Sequence, residues 1–257
     1  MKRVWKLVIN ITAGMLVLVS GIAHAEIAYK GFQIDESECA GIPQMDSMVA
    51  RTKDQIDMVF GLGEPDDMIR FFQTLQIRLK SSPLSGGTPG LYVGNHMRDV
   101  EILPTITVTG HKPVLLHEML HAYHDLKLEG GFMNSDILRY YLTAKSRHFF
   151  DAQSHMMSNQ REFFACAATT FLFGVTAQEP FTREHLKQAD PEFYAYLQSL
   201  FGPGTGTYTG WLSYLIERRG SKAISSLIGK PSYPTIPLEP LQREQSLQNI
   251  EKSGWDS

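Results

Sequence analysis

His117, Glu118 and His121 stand in LLHEMLHAYHDL (115–126), and their order and spacing can do chemistry. At about 100° per residue, histidines four apart lie about 40° apart on one helical face, so both imidazoles reach one ion while the glutamate sits beside them. Two neutral imidazoles leave Zn2+ a strong Lewis acid; a third protein ligand fixes it, and an open position admits a water whose pKa falls towards neutrality. Glu118 then serves as the base that takes the water's proton and passes it to a leaving amine. A buried helix with two ordinarily hydrogen-bonded histidines does not require the His-Glu-x-x-His order, which makes a metal site the stronger reading.

The third ligand is the next question. After His121 come Ala122, Tyr123, His124 and Asp125, so no glycine and histidine follow at the spacing of the extended His-Glu-x-x-His motif. His124 lies two turns from His117, too far along the helix to serve the same ion. Glu162, in NQREFFACAATTFLFG, is the better candidate, because a carboxylate on so apolar a helix needs a strong partner. Its competing use is a capping box with Asn159 as the cap. Asp125, one turn after His121, is placed either to accept that histidine's second ring proton or to sit in solvent at the helix end.

These residues need elements to hold them. Pro113 suits the start of the helix that carries the motif, and Gly130-Gly131 ends it. Upstream, 42–63 has apolar residues at Met45, Met48, Val49, Ile56, Val59 and Phe60, the spacing of an amphipathic helix stopped by Gly61 and Gly63, and another helix begins near Pro65. Alternation in 75–80, 99–103 and 105–110 predicts half-buried strands, with SSPLSGGTPG as a loop. Downstream, helices are expected over 134–150, over 159–173 and from Asp190-Pro191-Glu192 to about Leu200. The fold class is therefore α+β, mostly helical, with a small mixed sheet before the active-site helix.

The first 25 residues read as a secretory signal: a basic head (Lys2, Arg3, Lys6), an apolar run over Leu7 to Ile22, and Ala23-His24-Ala25 as the cleavage site. The expectation is a periplasmic or secreted protein starting at Glu26, with one domain over 26–230 and an extended, proline-spaced tail over 231–257. No stable membrane span remains after signal removal. Loss of the leader takes the formal charge from −3 to about −6, and without a concentrated basic face no nucleic-acid partner is expected. For Cys39 and Cys166 two readings stay open, a disulfide formed after export or a buried thiol at Cys166.

LLHEMLHAYHD, REFFACAATTFLF with its glutamate 41 positions after His121, and EPFTREHLKQADPEFYAYLQSLFG together resemble the gluzincin metallopeptidases related to the lethal factor catalytic domain and the Mlc titration factor peptidases. The segment IRFFQTLQIRLK…GLYVGNHMRDVEIL is similar to the strands that precede their active-site helix. The resemblance covers roughly residues 55 to 202. It implies a zincin-like fold, zinc held by His117, His121 and Glu162, Glu118 as catalytic base, and a peptide or protein substrate. Where lethal-factor-like enzymes place a transition-state tyrosine, seven positions before the glutamate, this chain has His155, which either donates to an oxyanion in its stead or is a surface residue. Tyr140, Tyr141 and Tyr208 are the alternative donors. A non-catalytic relative that keeps the fold and binds a partner protein in the cell envelope is the alternative function.

Overall fold

Lys30 (φ 49°) and Gly31 (φ 80°) occupy the two left-handed positions of a tight turn that joins β1 (Glu26–Tyr29) to β2 (Phe32–Asp35) as an antiparallel hairpin. The structure, a computed structural model, describes residues 26–62, 66–82, 84, 88–94, 98–102 and 112–204. From β2 the chain crosses over through α1 (Met45–Phe60) and α2 (Asp66–Phe72). Such a crossover is what lets β3 (Gln76–Leu79) pair parallel to β2. β5 (Asp99–Ile102) lies parallel to β3, and β4 (Gly90–Val93) runs antiparallel along the far side of β5. The resulting sheet has the order β1-β2-β3-β5-β4.

All five strands precede α3 (Val114–Lys127), so the α+β expectation of a small mixed sheet before the HEMLH helix holds. Phe32, Ile34, Ile77, Leu79, Val100 and Ile102 are buried from the sheet into the core. Gln33, Arg78 and Glu101 alternate with them, and Arg78 pairs with Asp35 (3.1 Å) and Asp99 (3.0 Å) across β2, β3 and β5. That alternation is the period-2 signal read at 75–80 and 99–103. The strand expected over 105–110 lies outside the described residues, as do the leader and the tail.

α3 is buried over most of its length because it is wedged between the sheet, α1 and α5 (Gln160–Phe173). Its N-terminus is capped from another element. Pro113 stands at the N-cap and brings no side-chain hydrogen bond. Instead Gln55 of α1 accepts from Leu115 N and donates to Lys112 O, both at 3.1 Å. Four of the apolar positions read for α1 (Met48, Val49, Ile56 and Val59) are buried, and the helix ends at Gly61, as expected.

α4 (Ser135–Arg147) starts on Asn134, whose side chain accepts from Ile137 N, and α7 (Pro191–Phe201) starts on Asp190, which accepts from Phe193 N with Pro191 in the first turn. Phe163 of α5 stacks on Phe193 with ring centroids 4.6 Å apart, which ties α5 to α7. The β1–β2 hairpin and the short α6 (Arg183–Ala189) are additions to the sequence expectation, whereas β4 is the GLYV stretch that the resemblance marks as a strand. Among the described residues no helix is long and apolar enough to cross a membrane.

Candidate metal centre

Three atoms from two helices converge. His117 and His121 of α3 bring their Nε2 atoms to 3.1 Å, and Glu162 Oε2 of α5 lies 3.2 Å from the first and 3.3 Å from the second. An imidazole Nε2 carries either one proton or one lone pair. Three mutual contacts around a triangle therefore cannot all be hydrogen bonds: if both histidines donate to Glu162, two N–H groups face each other at 3.1 Å. A cation at the centre satisfies all three at once. Tetrahedral bonds of about 2.0–2.2 Å place neighbouring ligand atoms roughly 3.3–3.5 Å apart, close to the sides of this triangle. His117, His121 and Glu162 thus fit a metal such as zinc.

Helix α5 shows how Glu162 becomes available. Asn159 is the N-cap and its side chain accepts from both Arg161 N and Glu162 N, so the helix end is capped without the glutamate side chain. The capping-box use of Glu162 gives way to the contact with the histidines. Burial works against its ionisation, yet the imidazoles of His117, His121 and His155 gathered around it outweigh that and hold the carboxyl well below the usual range. His155, on the 3-10 turn His155–Met157, places Nε2 at 3.0 Å from the same Oε2.

Glu118, next to His117 on α3, reaches the edge strand β4. Its Oε2 accepts from Tyr92 N at 2.8 Å. Burial raises its pKa to about 7, with the nearby Glu162 adding to the rise and His117 and the Tyr92 amide opposing it. The approach of β4 depends on Gly90: a Cβ there would lie 2.7 Å from Val114 Cγ1 and 2.9 Å from Glu118 Cγ. Neither Gly90 nor Tyr92 stood out in the sequence, although a glycine opening the strand GLYV is the usual mark of close backbone approach.

Several subsidiary expectations change. Asp125 accepts from the Tyr92 hydroxyl of the edge strand at 2.9 Å and, among the described residues, is not bonded to His121. His124 is fully buried between the rings of Phe132 and Phe164, with no hydrogen-bond partner for either nitrogen among the described residues. Desolvation lowers its pKa to about 3, with His121 and Arg161 adding to the fall, so it stays neutral and apart from the metal candidates. Cys39 and Cys166 are both free and buried, so there is no disulfide. Cys166 packs in the middle of α5, its Sγ accepting from Gln178 Nε2 at 3.1 Å, and burial, then Glu162 and Glu118, push its thiol pKa well up.

Of the oxyanion-donor candidates, His155 lies against Glu162. Tyr140 packs on Phe193 and Tyr196, and the Tyr141 hydroxyl donates to Met157 O at 3.2 Å. Tyr208 lies outside the described residues.

No protein-family model and no curated protein sequence matches the chain. Among solved structures, the Pro-Pro endopeptidase PPEP-2 from Paenibacillus alvei is similar at a TM-score of 0.44 and 19% identity, over 61% of this chain and 92% of that one. A likeness of that size decides neither family nor reaction, so the functional reading rests on the centre itself.

Proposed function

We propose that the chain is an exported zinc-dependent peptidase, with His117, His121 and Glu162 as metal ligands and Glu118 as general base. The observation that carries the reading is the closed triangle of two imidazole nitrogens and one carboxylate oxygen, which a shared cation satisfies and hydrogen bonds cannot. When bound, zinc supplies Lewis acidity that polarises a scissile carbonyl and makes a water acidic. Glu118 takes the proton of that attacking water as the new C–O bond forms. The same carboxyl then gives the proton to the departing amide nitrogen as the C–N bond breaks. The Tyr92 amide holds one carboxylate oxygen, which fixes the direction in which Glu118 accepts. In this reading His155 donates to the oxyanion. The choice of peptide substrates rests on the resemblance carried by HEMLH and REFFA.

The test combines metal content with cleavage of an unbiased peptide library. The parent is expected to hold one equivalent of zinc and Glu162→Gln to hold it more weakly. Glu118→Gln should keep zinc and lose about 10²–10⁴-fold in rate. A Glu118→Gln protein as active as the parent would exclude the mechanism, and bound zinc without hydrolysis would leave a partner-binding protein. Export is tested by N-terminal sequencing of protein recovered from the envelope, where Glu26 is expected first; intact Met1 on a cytoplasmic product would exclude it.

A further inference from the structure

Three imidazole nitrogens converge on one carboxylate oxygen: Nε2 of His155, His117 and His121 lie 3.0, 3.2 and 3.3 Å from Glu162 Oε2. A carboxylate oxygen offers two lone-pair sites, so two of these contacts can be well-formed hydrogen bonds and the third is surplus. The surplus disappears if the nitrogens are corners of one coordination shell. The ligand atoms of His117, His155 and Glu162 also lie within 4.8 Å of one another, within reach of a shared ion.

Resting on the reading of this centre as a zinc site, we propose that His155 is a fourth, exchangeable metal ligand that closes the coordination shell of the resting protein. Four protein ligands complete a tetrahedron and leave no open position, whereas a catalytic zinc keeps one. The two helix histidines are buried, their side chains 3% and 9% exposed, while that of His155 is 45% exposed on a short 3-10 turn. Burial fixes the first two, and exposure gives the third somewhere to go. A substrate carbonyl or an inhibitor must displace the His155 imidazole to reach the metal, so the centre is self-blocked at rest. Once displaced, the same ring remains beside the position where an oxyanion develops.

The number of imidazoles bound to zinc is the decisive readout. Affinity alone does not discriminate, since an outer hydrogen-bonding partner of a ligand is itself worth about 10–100-fold. Full-length protein carrying one equivalent of zinc is measured by X-ray absorption at the zinc edge, where the imidazole ring scattering counts bound histidines. Three imidazoles in the parent and two in His155→Phe support the proposal, as does tighter binding of acetohydroxamate by the variant, which has no imidazole to displace. His155→Gln provides the same comparison should the phenylalanine disturb folding. Two imidazoles in both proteins, three in both, or equal acetohydroxamate affinity overturns it while leaving the zinc site intact. A parent that retains no zinc overturns the underlying site as well.

Discussion

Adding one methyl group at Gly90 should disable the centre without touching a metal ligand. A Cβ at this position would stand 2.7 Å from Val114 Cγ1, 2.9 Å from Glu118 Cγ and 3.0 Å from Glu118 Oε1. Val114 and Glu118 both belong to a helix wedged into the core, so they have little room to yield, and β4 must move outward. Overpacking of this kind costs about 1–3 kcal/mol. For a domain of this size each kcal/mol shifts the melting temperature by about 2–4 °C, so Gly90→Ala should lower it by roughly 2–12 °C. Outward movement also draws Tyr92 N away from Glu118 Oε2, now 2.8 Å distant. The base loses the bond that aims it, and kcat should fall roughly ten- to a hundredfold, as ångström-scale misplacement typically costs. Thermal unfolding, zinc content and peptide hydrolysis of parent and variant are compared side by side. A Gly90→Ala protein with unchanged melting temperature and full kcat would refute the argument that this contact sets the strand's distance.

In metal-free protein, the raised pKa of Glu118, about 7 against an ordinary 4.5, contributes stability that is present below pH 4.5 and lost as pH rises through 7. At about 1.36 kcal/mol per unit that is roughly 3 kcal/mol. Glu118→Gln lacks this dependence, so with chelator present it should gain on the parent by that amount between pH 5 and pH 8; parallel stability curves would contradict the assignment. Gln55→Leu should cost about 1–3 kcal/mol by removing the acceptor of the buried Leu115 N–H. Urea midpoints at unchanged slope measure it, and an unshifted midpoint would deny Gln55 its role at the start of α3.

The helices were legible wherever cap and period agreed. Asp190-Pro191 gave the start of α7, and the apolar spacing with Gly61 gave the extent of α1. His117 and His121 were legible because a helix fixes the relation of positions four apart. Glu162 carried two local uses, cap or ligand, and only the distance between α3 and α5 decides between them. The hairpin was missed because β1 and β2 are four residues each, too short for a period, although Gly31 marks the turn. Tyr92 was beyond sequence reasoning. Its amide and hydroxyl bind Glu118 and Asp125, two turns apart on α3, a relation created by sheet packing alone. The same packing explains why Asp125 does not orient His121.

The Asn159 cap insulates the centre from its own helix. With the side chain of Asn159 serving Arg161 N and Glu162 N, the glutamate is released from any local duty. Without that cap, the same carboxylate would be claimed by two masters, the exposed amides of the helix end and the histidines of α3. A surface residue that never meets the metal would thereby set how much of the Glu162 population is ready to receive it. Serine, threonine or aspartate could replace Asn159 and preserve this separation, whereas alanine would turn a frayed helix end into a weaker ligand.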